Sequence, residues 1–207
     1  GLIALTGSRD ELAAVLAHEL SHVTQRHIAR GITNSKRQSL IGLAAMIIGV
    51  IAASRANSTD GVAAVVTGGQ AASIQGQLNF SRDMEREADR IGFAVLTGAG
   101  FSPGGMAAMF EKLDQSSRLN DSGGYPYLRS HPLTTERIGE ARARMGTATA
   151  RAAPGPGGTG FEHALAQARS RVLMDTRVDA LRRWQALDAT RPDLTTAQRL
   201  SDAYSSA

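Results

Sequence analysis

Residues 18–22 read His-Glu-Leu-Ser-His, and this pattern restricts the chain more than any other feature. Side chains four apart on a helix lie one turn apart on the same face. On a helix, His18 and His22 therefore offer two imidazole nitrogens to one metal ion. Glu19 is offset from His18 by about 100°, which puts it beside the ion, placed to take a proton from an attacking water. Two histidine ligands with a neighbouring glutamate base are the arrangement of zinc proteases. The competing reading is a buried helix with two incidental histidines.

The flanking residues specify the helix that the motif requires, over 12–30. Ser8 and Glu11 form a capping-box pattern. Asp10 and Glu11 place negative charge in the first turn, where the helix dipole favours it. Leu12, Leu16, Leu20 and Val23 mark an apolar stripe for burial, with the histidines at its edge. Gly31 is the expected stop. His27 falls off the ligand face and reads as a surface side chain.

The 207 residues contain no cysteine, which excludes thiolate ligands and disulfides. A metal must be held by histidine and carboxylate, and one zinc ion per chain is expected. A two-histidine site needs a third protein ligand, with the fourth position left for water. The pattern Phe80, Met84, Ala88, Ile91, Val95 predicts a long helix over 71–96 with one buried stripe, after a Gly-Gly break at 68–69. That helix carries Glu85, Glu87 and Asp89. Glu85 and Glu87 point about 200° apart, so either is a ligand but not both. We take Glu85, because Asp89 then shares its face and can hold the outer N–H of a ligand histidine. Gly92, on the same face, allows two helices to approach closely. The alternative is a solvated acidic face paired with Arg82, Arg86 and Arg90.

The composition is 42% hydrophobic and 20% charged, as in ordinary globular domains, with only 4% aromatic. Closely packed helices with small contact residues are expected. Residues 40–53 form an unbroken apolar run of 14, short of the roughly 20 that cross a bilayer. A buried core helix, a flap or membrane-interface helix beside the metal, and a spanning segment all remain open. Lys36 and Arg37 just ahead of the run keep peripheral membrane contact in view. A short helix over 106–113 buries Met106, Met109, Phe110 and Leu113. A proline-punctuated loop at 125–132 carries His131, and a helix follows over 134–145. His131 can donate to the oxyanion, as Tyr125 or Tyr127 also can, or it can occupy the open metal position and silence the site; it can also simply cap the next helix.

Residues 146–160, rich in proline and glycine, read as a linker. Beyond it, short helices are expected over 161–174, 176–188 and 195–205. Residues 129–207 carry 12 basic and 8 acidic side chains, which is the whole net excess of +4. Acids are interspersed and no aromatic platform accompanies the arginines, so a mixed-charge face is expected rather than a nucleic-acid surface. The chain opens at Gly1 without a leader-like segment and reads as a fragment or a processed form.

The helix around His18, Glu19 and His22, the stretch from Asn79 through Glu85 and Asp89 to Gly92, and the run from Arg129 through His131 and Pro132 to Arg137 resemble the gluzincin metallopeptidases related to the CaaX prenyl protease. The likeness is to their bacterial periplasmic branch with C-terminal tetratricopeptide repeats. It implies a mainly α fold whose small sheet is mostly missing from this fragment: a peptidase domain over 1–145, the linker, and the start of a helical-repeat region over 161–207. It implies His18, His22 and Glu85 as zinc ligands, Glu19 as catalytic base, Asp89 behind the ligands and His131 near the metal. It also implies a periplasmic endopeptidase acting on unfolded or misassembled envelope proteins, in contact with the outer-membrane assembly machinery. The family's substrate-pairing strand ahead of the metal helix is not among these residues, which keeps a chaperone or assembly adaptor with a latent metal site as the alternative.

Overall fold

The computed structural model describes residues 1–55, 59–119, 126–148, 160–179 and a few positions between 182 and 204. Among these the chain is almost wholly helical and contains no strand. The helices are α1 (Leu2–Leu5), α2 (Arg9–Thr24), α3 (His27–Arg55), α4 (Thr59–Gly98), α5 (Gly104–Leu119), α6 (Pro126–Ser130), α7 (Thr135–Ala148) and α8 (Phe161–Met174). Two compact units result, one of Gly1–Glu19 with Asp89–Ala207, the other of Leu20–Ala88.

In the first unit, α2 starts as its sequence specifies. The Ser8 hydroxyl accepts the Glu11 N–H at 3.2 Å. The Glu11 carboxylate does not close the box, however. It accepts the Gly7 N–H at 2.6 Å and the Lys112 ammonium at 2.6 and 2.8 Å. The core gathers Ala14, Val15 and Ala17 of α2, Leu96 of α4, Met106, Met109, Phe110 and Leu113 of α5, and Ala141 of α7. Each fully buried leucine or methionine contributes about 1.5–3 kcal/mol. The inward set expected for α5 is therefore correct, though the helix runs longer at both ends. Helix α8, which spans the expected 161–174, packs on the first residues of the chain: His163 Nε2 lies 3.1 Å from the Thr6 carbonyl oxygen, and the Gln167 amide donates to the same atom.

The apolar stripe expected on α2 is wrong. Leu16, Leu20 and Val23 are exposed, Val23 at 71%. The buried face is instead Ala14, Ala17, His18 and Ser21, and the reason is steric. A Cβ on Gly92 would fall 3.1 Å from the His18 N and Cα, so α4 runs against the α2 backbone, and only small side chains fit along such a seam. On α4 the buried positions are Glu85, Ala88, Asp89, Gly92 and Leu96, a face offset from the expected stripe.

In the second unit, α2 ends at Thr24 and not at Gly31, which lies inside α3. The break is made by Arg26 at φ 54°, a left-handed conformation uncommon for a residue with a side chain. Likewise Gly68 and Gly69 lie inside α4 and break nothing. Helices α3 and α4 run antiparallel. His27 meets Glu87, Gln38 packs at Gly76 and Gly49 packs at Val65. Each step is eleven residues on both helices. That repeat is three turns at about 3.67 residues each, so the same faces stay in contact along the pair.

The 40–53 run is not a buried core helix. It lies within α3, the one described helix long and apolar enough to cross a membrane, and the most apolar stretch of that helix has no buried residue. Residues 120–125, 149–159 and most of 180–207, with the expected helices over 176–188 and 195–205, lie largely outside the described residues.

Candidate metal centre

His18 and His22 are one turn apart on α2, and Glu85 and Asp89 are one turn apart on α4. Each pair divides between the two units, one histidine and one acid to each.

In the first unit His18 is 2% exposed, and its Nδ1 lies 3.0 Å from Asp89 Oδ1. Asp89 is gripped by Arg137, whose Nε donates to Oδ2 at 2.6 Å and whose Nη2 donates to Oδ1 at 2.8 Å. Burial pushes the Asp89 carboxyl up, but the hydrogen bonds from Arg137 and His18 outweigh it and hold the group below its ordinary value. Asp89 is therefore an anion that accepts the His18 Nδ1–H and turns Nε2 outward, as second-layer carboxylates do for metal ligands. His18 Nε2 lies 3.4 Å from His131 Nδ1. His131 stacks on Tyr127, with ring centroids 4.7 Å apart, and its Nε2 lies 3.6 Å from Glu19 Oε1. That carboxylate oxygen is buried and has no hydrogen-bond partner among the described residues.

In the second unit His22 Nε2 lies 3.4 Å from Glu85 Oε1. On its other side His22 Nδ1 is 2.9 Å from His27 Nδ1, and His27 Nε2 is 3.2 Å from Glu87 Oε2. Arg30 donates to the same glutamate oxygen at 2.7 Å, and its hydrogen bond is the main reason the Glu87 carboxyl sits below its ordinary value. One proton arrangement satisfies the chain. His22 carries its proton on Nδ1 and donates to His27, and His27 carries its proton on Nε2 and donates to Glu87. His22 then presents Nε2 toward Glu85.

His27, expected at the surface, is 2% exposed. The cause is the backbone turn at Arg26, which swings α3 so that its first residue comes back beside His22. Nothing in the residue types marked that turn. Glu87 sits behind His22 through His27, a role missed because only direct contact was weighed. Arg137 lay in a run already singled out, and a buried acid predicted on α4 was the available signal that it needed a cation. We expect His27→Ala to weaken metal binding by about 10–100-fold, read by competition with a chromogenic chelator. Unchanged affinity would remove His27 from any orienting role.

His18 with His131 in the first unit, and His22 with Glu85 in the second, supply side chains of the kinds that can hold a metal ion. The donor types suit a borderline divalent cation: imidazole nitrogens and a carboxylate, no thiolate. The far nitrogens of His18 and His22 are each tied to an acid of their own unit, directly or through His27.

The family model for peptidase family M48 matches residues 1–145. The chain is 38% identical over 143 residues to the beta-barrel assembly-enhancing protease of Escherichia coli (strain K12), covering 69% of this chain and 29% of that protein. It is 31% identical to Metalloprotease LoiP of the same organism, covering 66% of this chain and 50% of that one. It is 30% identical to the mitochondrial metalloendopeptidase OMA1 of Saccharomyces cerevisiae, covering 66% of this chain and 37% of that one. The chain thus spans under a third of the beta-barrel assembly-enhancing protease.

Proposed function

The chain belongs to peptidase family M48, and on that footing we propose that it is the catalytic part of a zinc endopeptidase, with His18, His22 and Glu85 as ligands and Glu19 as general base. The observation that carries the reading is the pair of parallel arrangements on α2 and α4. His18 meets Asp89 at 3.0 Å and His22 meets Glu85 at 3.4 Å, so the same two helices supply both an outer acid and a candidate third ligand. A divalent ion held there supplies Lewis acidity that makes water acidic and a carbonyl electrophilic. The protein's own work is positional. Asp89 and Arg137 fix the His18 ring; Glu87 and His27 fix the His22 ring. Glu19 takes the proton of the attacking water and later returns it to the leaving amine.

The substrates we propose are unfolded or misassembled envelope proteins met in the periplasm, outer-membrane β-barrels among them, with the assembly machinery as partner. The support is the name of the Escherichia coli relative. Residues 161–207 then begin a helical-repeat region that binds partners. Chelation should abolish casein hydrolysis, and one equivalent of zinc should restore it. Hydrolysis that survives dialysis against chelator, with no metal left by elemental analysis, would end the metallopeptidase reading.

A second reading, an assembly adaptor with a latent centre, has one observation in its favour. His131 Nδ1 is 3.4 Å from the outward nitrogen of His18, so its imidazole would be able to join the donors and silence the site. On that reading His131→Ala raises hydrolysis. If His131 instead assists the oxyanion, the same substitution lowers it.

A further inference from the structure

Helix α3 carries no charged residue between Arg37 and Arg55, and α4 carries none between Asp60 and Arg82. At 1.5 Å per residue these gaps measure about 27 and 33 Å, close to the roughly 30 Å of a bilayer's hydrocarbon core. Charges stand at both ends: Lys36, Arg37 and Arg82 at one, Arg55 and Asp60 at the other.

What lies between is packed the opposite way from a water-soluble hairpin. From Leu40 to Ile51 every leucine, isoleucine, valine and methionine of α3 is at least 40% exposed. Those side chains sweep about 220° of the helix at 100° per residue. The remaining arc holds Gly42, Ala45, Gly49 and Ala52, and of these Gly49 lies against Val65 of α4, while Ala45 and Ala52 are exposed. A glycine from each helix at the contact, Gly49 on α3 and Gly76 on α4, with large apolar residues outside, is the pattern of helices packed in lipid, where burying apolar surface between helices gains nothing and close backbone approach does. The polar residues of α4 in this zone are amides and hydroxyls, not ions. Gln75 donates to Asn79 at 2.8 Å, and Gln38 lies against Gly76.

The breadth of the exposed arc selects the occupant. A second copy or another protein seated on α3 would cover one stripe and leave the rest in water. An interfacial helix needs a strongly charged face for the headgroups, and this stretch has no charge. Acyl chains cover the full arc. We infer that residues 38–54 and 61–81 form a paired helical hairpin that crosses the hydrocarbon core of a phospholipid bilayer, and not a surface contact of the 40–53 run alone. The inference is independent of the peptidase reading.

The chain has no cysteine, so single cysteines can be introduced without background. The unaltered 207-residue protein is first mixed with vesicles of phosphatidylethanolamine and phosphatidylglycerol and floated on a density gradient. It should rise with the lipid and stay bound through 1 M salt and alkaline carbonate. Lys36→Cys, Ile41→Cys, Met46→Cys, Ile51→Cys and Arg55→Cys are then labelled with bimane and quenched by lipids carrying nitroxide at mid-chain. Quenching should peak at position 46 and fall at least threefold toward both 36 and 55. Failure to float, or release by salt, overturns membrane insertion. A flat shallow profile means a surface-lying helix, and a profile deepest at 55 means a tip that stops inside; either overturns the crossing. A discrete dimer in solution with no lipid quenching would assign the apolar arc to a second copy instead.

Discussion

Glu19→Gln will lower hydrolysis of an unfolded substrate such as casein by about 10²–10⁴-fold and leave the bound metal unchanged. The expectation follows from where the carboxylate stands. Glu19 shares α2 with both candidate histidine ligands, yet its 100° offset points it away from their face. Its Oε1 is buried without a hydrogen-bond partner among the described residues, and the nearby His131 Nε2, at 3.6 Å, is beyond hydrogen-bonding distance. The Glu19 side chain as a whole is 41% exposed, so the carboxylate is open to water and substrate. Glutamine keeps the shape and the acceptor oxygen but cannot take a proton. Loss of rate with metal content intact therefore separates base from ligand. Glu85→Gln should instead reduce metal content itself, because its carboxylate faces His22 Nε2. Cleavage retained by Glu19→Gln at the parent rate would remove the proposed base, and loss of metal in that variant would recast Glu19 as a ligand.

Much of this was legible from residue types, and the failures share a cause. The helix that carries His18 and His22, its Ser8 cap and the inward face of α5 followed from periodicity and capping. Those signals are local, and tertiary contacts left them intact. The acids of α4 were reached by ligand counting, since a cysteine-free chain with two candidate metal histidines needs a carboxylate. What failed depended on how closely two backbones approach. Leu16, Leu20 and Val23 form a fair stripe on a helical wheel, but Gly92 against the His18 backbone reserves the seam for Ala14, Ala17 and Ser21. The turn at Arg26 was invisible because an arginine in the left-handed region carries no sequence mark, and with it went the burial of His27. Residues 40–53 misled differently. Read alone they looked too short to cross a bilayer and apolar enough to be core. What the run alone does not show is that α3 continues on both sides of it, over His27–Arg55, and pairs with a charge-free stretch of α4.

Arg137→Ala should destabilise the fold by about 3–5 kcal/mol, the cost of leaving a buried anion without its cation. Arg137 is 5% exposed and Asp89 1%. Two N–H groups of the guanidinium bind Asp89 at 2.6 and 2.8 Å. A third, Nη1, donates to the Pro132 carbonyl at 2.6 Å, and the group lies over the Phe110 ring, 5.1 Å from its centroid. One side chain thus ties the acid behind His18 to the loop that carries His131. The pH dependence distinguishes this cause from simple loss of packing. In the parent protein the Asp89 carboxyl sits below its ordinary value of 3.8, so it contributes stability above that pH, and the contribution is lost as pH falls through the folded-state value. Without Arg137, burial acts with only His18 to oppose it and the carboxyl is pushed up. The variant's deficit should then be largest near pH 7 and shrink as pH falls below the variant's raised carboxyl value toward the parent's lowered one, because protonation removes the charge that Arg137 no longer balances. Urea melts across that range, run with chelator so that metal binding does not add its own stabilisation, read the difference directly. Adding Asp89→Asn to Arg137→Ala should recover stability at pH 7, since an amide can still accept from His18 Nδ1 without burying a charge. A deficit independent of pH and untouched by that second substitution would mean that Arg137 serves mainly as packing for Phe110, and that Asp89 orients His18 without its help.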